Sequence, residues 1–290
     1  MTDLVWSRDA ASWPHHGASR FVSVAGIRWH VQEMGDGPSM LLVHGTGAAT
    51  HSWRGLMPLL AANTRVIAID LPGHGFTQTS SPQRLSLPGM AADIAQLLRV
   101  MDATPEIVVG HSAGAAILAR MCLNKSIAPQ LLVSLNGAFL PFGGIAGHLF
   151  SPLAKMLVLN PVVPRLFAWQ ASSAGAVERL LRDTGSTLDA EGTALYRKLV
   201  RSPAHVAAAL RMMANWQLEP LVRDLPSLKT KLLLITAEND RAIAPDVARK
   251  VHAMVPGSEI VRLPKLGHLA HEEKPDEVAA LILKAAGVQL

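Results

Sequence analysis

Ile107-Val108-Val109-Gly110-His111-Ser112-Ala113-Gly114-Ala115-Ala116-Ile117-Leu118 is the stretch on which the fold turns. It opens on an unbroken apolar run, Ile107 to Val109, which suits a strand covered on both faces. After Gly114, Ile117, Leu118 and Met121 fall on one helical stripe. Between strand and helix stands a serine flanked by small residues. Glycine at 110 and 114 lets neighbouring backbone approach a sharp turn. Such a turn lifts the serine Oγ to the end of the sheet. It also points the unpaired N–H groups of the following helix at the same place, so the Ala113 N–H is a natural donor to a developing oxyanion.

Outward from this turn, similar runs recur. Arg20 to Ala25 and Ile27 to Met34 read as two strands around a turn at Gly26. Met40 to Val43, Val66 to Ile69, Glu106 to Val109, Leu131 to Leu135, Leu232 to Thr236 and Glu259 to Leu263 read as further strands. Helical stripes lie between them. Met90, Ile94, Leu97, Leu98 and Met101 follow the start signals Ser86 and Pro88, and Val278, Leu281, Ile282 and Ala285 follow Pro275. The alternation predicts an α/β fold, a mostly parallel central sheet flanked by helices. It breaks between Phe139 and Leu225, where short helical patterns such as Gly175 to Arg182 and Ala204 to Met213 replace strands. The expected organisation is therefore a core made of residues 1–138 and 226–290, with residues 139–225 inserted as a helical lid.

Ligands of such sheets sit beyond the carboxyl ends of the strands. His44-Gly45-Thr46-Gly47 leaves one such end, and the Thr46 N–H is the expected second oxyanion donor, with Gly47 in reserve. A dinucleotide loop at this place would need a third glycine where Thr50 stands. A serine nucleophile needs a base and the base an orienting carboxylate, in the chain order serine, acid, histidine. His268, after the last strand, is the expected base, with His271 as runner-up. Asp240, after the strand at 232–236, is the expected acid, with Glu238 as its nearest rival. Asn136 ends the preceding strand but cannot be the anion, and Asp70, before Pro72-Gly73-His74-Gly75, reads as a turn residue. His44 and His111 adjoin the site and are candidate substrate contacts with Gly47. No His-Glu-x-x-His helix is present, so neither a metal nor a cofactor is expected.

Composition narrows the function classes. Of 290 residues, 49% are hydrophobic and 17% charged, which excludes a disordered chain. The net charge is +5, yet no basic run or basic-aromatic interleaving appears, so nucleic acid is not an expected partner. Cys122 is the single cysteine, which excludes an intrachain disulfide and fits a reducing compartment. Residues 1–20 lack the apolar core of a secretion signal, and a cytoplasmic location is expected. The shortage of charge is concentrated. No Asp, Glu, Lys or Arg occurs from Ser126 to Ala154, or from Met156 to Pro164. Five prolines and Gly143-Gly144 argue against a spanning helix there. Phe139, Phe142, Phe150 and Trp169 are the expected cover of an apolar small-molecule substrate, and peripheral contact with a membrane is a secondary expectation.

The ordered set of the Ser112 turn, the His-Gly-Thr-Gly loop, the Asp-Leu-Pro-Gly-His-Gly turn, Asp240 and Gly267-His268 resembles the α/β-hydrolase fold over nearly the whole chain. A narrower resemblance lies outside those motifs. Ser19-Arg20-Phe21, Arg28-Trp29-His30-Val31-Gln32, Gly45 to Arg54, Leu85 to Met90, Gly110 to Met121, Leu140 to Gly144 and Leu159-Asn160-Pro161 are similar to the magnesium-chelatase accessory proteins of bacteriochlorophyll biosynthesis, the BchO-type α/β-hydrolases. That resemblance implies a place in the magnesium branch of tetrapyrrole synthesis and contact with magnesium chelatase. It supplies no reaction. The residues themselves point to a serine hydrolase acting on an ester or related carbonyl. Two alternatives stay open: a non-catalytic accessory or porphyrin-binding protein on the same scaffold, and hydrolysis of a carbon–carbon bond by the same groups. A tetrapyrrole ester suits an apolar site, and so do many other lipophilic esters.

Overall fold

A computed structural model describes residues 2–79, 81–141 and 175–288. Eight strands form one sheet: β1 (Ser19–Val24), β2 (Ile27–Met34), β3 (Ser39–Val43), β4 (Arg65–Ile69), β5 (Ile107–His111), β6 (Leu131–Leu135), β7 (Lys231–Ala237) and β8 (Glu259–Leu263). Their spatial order is β1-β2-β4-β3-β5-β6-β7-β8. β1 and β2 form a hairpin in which Val24 pairs with Ile27, and Ala25 (φ 51°) and Gly26 (φ 78°) make the turn. Two left-handed residues in a two-residue loop match the right-handed twist of the strands. β2 runs antiparallel to β4, and every pair from β4 through β3 and β5 to β8 is parallel.

The central parallel strands β3, β5 and β6 are almost wholly buried because both faces are covered, while the edge strand β8 (Glu259–Leu263) is buried only at Leu263. Met40 and Leu42 of β3 join the core on one face, with α2 (Leu56–Ala61) and the C-terminal helix Pro275–Ala286. Leu41 and Val43 join the other, with α3 (Leu87–Val100) and α4 (Ala113–Leu123). α3 begins where expected: the Ser86 side chain accepts a hydrogen bond from the Gly89 N–H, and Pro88 sits in the first turn. The short N-terminal helix α1 (Trp6–Asp9) lays Trp6 against Phe21 and Phe76.

Between β6 and β7 the described residues form α5 (Ala176–Asp183), α6 (Ala190–Val200), α7 (Pro203–Ala214) and α8 (Glu219–Asp224). After β7 come α9 (Asp246–Met254), α10 (Ala270–Glu273) and α11, the helix Pro275–Ala286. The expected aromatic cover at Phe142, Phe150 and Trp169 lies outside the described residues. No helix among the described residues is long and apolar enough to cross a membrane.

β3 sits between β4 and β5, so the chain reverses its direction of travel across the sheet there. In open α/β sheets a crevice opens at the carboxyl ends of the strands at such a point. The loop after β3 and the turn after β5 flank it.

Candidate active site

Ser112 stands between β5 and α4 with φ 50° and ψ −116°, a conformation that side-chain-bearing residues rarely adopt. Tertiary contacts hold it there. The Ser112 N–H donates to Leu135 O at 3.0 Å, and Ser112 O accepts from Ala138 N at 3.0 Å and Ala115 N at 3.2 Å. The flanking glycines leave room for nothing larger. A Cβ on Gly114 would lie 2.1 Å from Val43 O, and one on Gly110 would lie 2.4 Å from Ala115 N. Gly45 is close as well, since its Cβ would lie 2.9 Å from the side chains of Ser112 and His111. This brings the loop after β3 directly beside the serine turn.

Asp240 follows β7, and its carboxylate is fully buried. Its Oδ2 accepts from His268 Nδ1 at 2.8 Å and from Asn136 Nδ2 at 2.6 Å. Its Oδ1 accepts from the N–H groups of Ala242 and Ile243, each at 2.8 Å. Four donors thus suit an acceptor-only carboxylate. With its Nδ1–H given to Asp240, His268 keeps Nε2 as a free acceptor. His268 is 8% exposed, and its backbone is fixed on two sides. His111 Nε2 donates to His268 O at 2.9 Å, and the His268 N–H donates to Thr184 O at 3.3 Å. The Leu269 N–H adds a bond to Ser186 Oγ at 2.8 Å. Ser112 Oγ makes no hydrogen bond to His268 among the described residues.

Ser112, His268, His111, Thr46 and Gly47 line one cavity of about 350 Å³. Its remaining described lining is largely apolar and includes Leu180, Val206, Leu210 and Met213. That volume lies within the ordinary range of small-molecule sites, about 300–1,000 Å³. The described lining carries no Asp, Glu, Lys or Arg. The Tyr196 hydroxyl faces away in chemical terms, since it donates to Glu272 Oε1 at 2.7 Å. Among the described residues no group of three or more His, Cys, Asp or Glu gathers to hold a metal ion.

Two expected substrate contacts are not made. His44 is fully buried, accepts the Leu71 N–H at Nε2 (2.9 Å) and donates from Nδ1 to Gly45 O (2.7 Å). Both ring nitrogens hold backbone, and the ring is absent from the described cavity lining. Phe139 is 1% exposed and packs into the core on the α3 and α4 face, not into the cavity. His271 is buried too, donates from Nε2 to Ser52 Oγ at 2.8 Å, and has its pKa pushed down by burial to about 3. Glu238 is exposed. Asp70 is a hub of the turn after β4. It accepts from Thr50 N at 2.7 Å and Phe76 N at 2.9 Å and pairs with His30 at 2.8 Å. Burial alone would raise its pKa, but His30 and these bonds hold it well below the usual carboxylate range.

Four contributors were not visible in the sequence as such. Asn136 supplies a donor to the acid, Thr184 and Ser186 hold the His268 loop, and His205 of α7 reaches the loop after β3. Asn136 carried only its position after the apolar run 131–135; the structure adds that it stands at φ 49°, which asparagine tolerates, beside β7. Thr184, Ser186 and His205 carried no signal.

A model of the alpha/beta hydrolase family matches residues 40–281. The chain is 38% identical over 275 residues to the magnesium-chelatase 30 kDa subunit of Rhodobacter capsulatus, a match spanning 94% of this chain and 96% of that one. It is 24% identical to a pimeloyl-[acyl-carrier protein] methyl ester esterase of Nitrosospira multiformis, over 90% of this chain and 98% of the relative. Among solved structures, an alpha/beta hydrolase fold protein from Burkholderia ambifaria matches with a TM-score of 0.74 at 23% identity, over 92% of this chain and 99% of that one, a likeness of fold. The chain belongs to the α/β-hydrolase family, in company with the magnesium-chelatase 30 kDa subunit.

Proposed function

We propose that the protein is a serine hydrolase acting on an ester, or a related carbonyl, of an apolar substrate in magnesium-tetrapyrrole synthesis. One observation supports this above the others: Asp240 orients His268 at 2.8 Å in a cavity that His268 shares with Ser112. In the proposed reaction Ser112 Oγ attacks the carbonyl carbon while His268 Nε2 takes the hydroxyl proton. The N–H groups of Thr46 and Ala113 bind the oxyanion. His268 then returns the proton to the departing alkoxide, leaving an acyl ester on Ser112. Water, deprotonated by His268, releases the acid and restores the serine. In this reading the Ser112–His268 hydrogen bond forms when substrate binds, as catalytic contacts often become complete only in the bound complex.

The apolar lining sets the substrate class. Each large side chain's worth of ligand surface it covers contributes roughly 1.5–3 kcal/mol. A tetrapyrrole ester suits it. We assign residues 139–225 as a lid between the core segments 1–138 and 226–290, with α5 to α7 forming one wall of the cavity.

A second reading has the similarity to a chelatase subunit in its favour: a non-catalytic accessory protein that binds a porphyrin or touches magnesium chelatase. Turnover of 4-nitrophenyl butyrate separates the two. The hydrolase turns the ester over, and Ser112→Ala lowers kcat at least about 1,000-fold. The accessory protein shows no turnover, shifts the absorbance of added porphyrin, and complements a deletion strain as Ser112→Ala.

A further inference from the structure

The geometry points to His205 as a positioning residue that couples the seating of α7 to the loop carrying the Thr46 oxyanion donor. This role rests on the hydrolase reading of the Ser112 site. His205 is 3% exposed and belongs to the segment inserted between β6 and β7, yet both its ring nitrogens hold backbone of the core. Nδ1 accepts the Gly75 N–H at 3.1 Å, and Nε2 donates to Gly47 O at 3.1 Å. One imidazole therefore ties the loop after β3 to the turn after β4. The neutral ring that this pattern requires is the one present at pH 7, because burial lowers the His205 pKa to about 4.

The same face of α7 makes two more contacts with these loops. Thr46 Oγ1 donates to Met212 Sδ at 3.5 Å. Gly73 is packed so closely that a Cβ there would lie 2.4 Å from Ala208 Cβ. His205, Ala208 and Met212 stand three and four residues apart, all buried, and form one stripe. The start of α7 is fixed in turn. Ser202 Oγ caps it through the His205 N–H at 3.3 Å, and Asp3 Oδ1 accepts from Ser202 Oγ at 3.0 Å and Ala204 N at 2.9 Å.

Thr46 and Gly47 depend on these contacts. Gly47 has φ 77°, and a Cβ placed on it would meet nothing within 4 Å, so within the turn that the Ala48 N–H closes on Gly45 O at 3.2 Å nothing beside its Cα steadies its peptide. His205 and Met212 do. Without them the loop is free to turn the Thr46 N–H away from the oxyanion, and a displacement near 1 Å costs about 100-fold in rate.

The test is the kinetics of Ser112 modification by an alkyl fluorophosphonate, whose P=O oxygen takes the oxyanion position. In that step the Ser112 Oγ–P bond forms, the P–F bond breaks, fluoride leaves and the serine proton passes through His268 to water. His205→Phe keeps the ring and loses both hydrogen bonds. Because His205 also lines the cavity, the substitution is expected to shift KI by up to about threefold and to lower the limiting labelling rate by more, about 10- to 100-fold. His205→Gln, which keeps a donor and an acceptor, is expected to recover part of that loss. Amide hydrogen exchange of residues 44–49 is expected to quicken in His205→Phe. A limiting rate equal to wild type, a change confined to KI, or a glutamine variant as slow as the phenylalanine one would overturn the inference. Should the phenylalanine variant not fold, His205→Asn repeats the test, since its amide reaches Gly75 and not Gly47. Should wild type resist labelling, the hydrolase reading falls, and the exchange measurement still decides the clamp: unchanged protection of residues 44–49 overturns it.

Discussion

Asp240 illustrates how a single residue acts through its neighbours. Its two oxygens are filled by four donors, and only one of these belongs to His268. The other three fix the carboxylate so that it can fix the imidazole tautomer. Asp240→Asn keeps the volume but puts an amide where His268 Nδ1–H must donate. The expected result is a folded protein with kcat for an activated ester lowered about 10,000-fold, measured beside a circular-dichroism spectrum matching wild type. A loss under tenfold would mean that His268 needs no orienting anion. At this scale the gathering of Ser112, His268 and Asp240 was legible, because each follows a strand and the carboxyl ends of the strands meet at one edge. Asn136 cannot be an anion, and its use as a donor becomes visible only through the pairing of β6 with β7. His205 was illegible for a firmer reason. Its partners Gly47 and Gly75 lie far away in sequence and contribute backbone, which no residue type advertises.

The element that matters most is the β5–α4 turn. Its strain at Ser112 persists only because Gly110, Gly114 and Gly45 let three backbone segments meet. Gly114→Ala places a methyl 2.1 Å from Val43 O, against backbone that cannot step aside. Overpacking of this kind costs about 1–3 kcal/mol, read as a fall in the urea midpoint with little change in slope. Gly17→Ala, with nothing within 4 Å, is the control and should stay within about 0.5 kcal/mol of wild type. An unchanged midpoint for Gly114→Ala would contradict the close approach of α4 to β3. The central strands β3 to β7 were legible from their apolar runs, which both-face burial leaves little interrupted, and β1 and β2 from the Gly26 turn between two β-rich segments. α2 was not legible. It spans six residues, Leu56–Ala61, with Pro58 inside, too short to show a repeat.

For the whole molecule, the shortage of charge meets a surplus of buried imidazole. His44, His51, His74, His111, His205 and His271 all have pKa values lowered, in each case chiefly by burial. These groups are neutral when folded and titrate near 6.5 when unfolded. The unfolded chain therefore binds more protons as pH falls, and stability present above about pH 6.5 is lost below it. For His205 and His271 the loss continues down to about 4 and 3. Each such group contributes about 1.4 kcal/mol per pH unit within its window. The urea midpoint should accordingly be flat from pH 8 to 7 and fall steeply from 6.5 to 5. A midpoint that stays level to pH 5 would contradict the burial of these rings. The burial was not legible in the sequence, where twelve histidines compete as catalysts or surface groups. Their uses emerge only when loops from distant parts of the chain meet at the carboxyl end of the sheet.

There Ser112 and His268 share a largely apolar cavity, in which the proposed hydrolase uses this serine as its nucleophile. Mass spectrometry after treatment with an alkyl fluorophosphonate tests that most directly. The account predicts one adduct on the peptide containing Ser112 and none in Ser112→Ala. Folded wild type that takes no adduct, or an adduct that persists in the alanine variant, would contradict it.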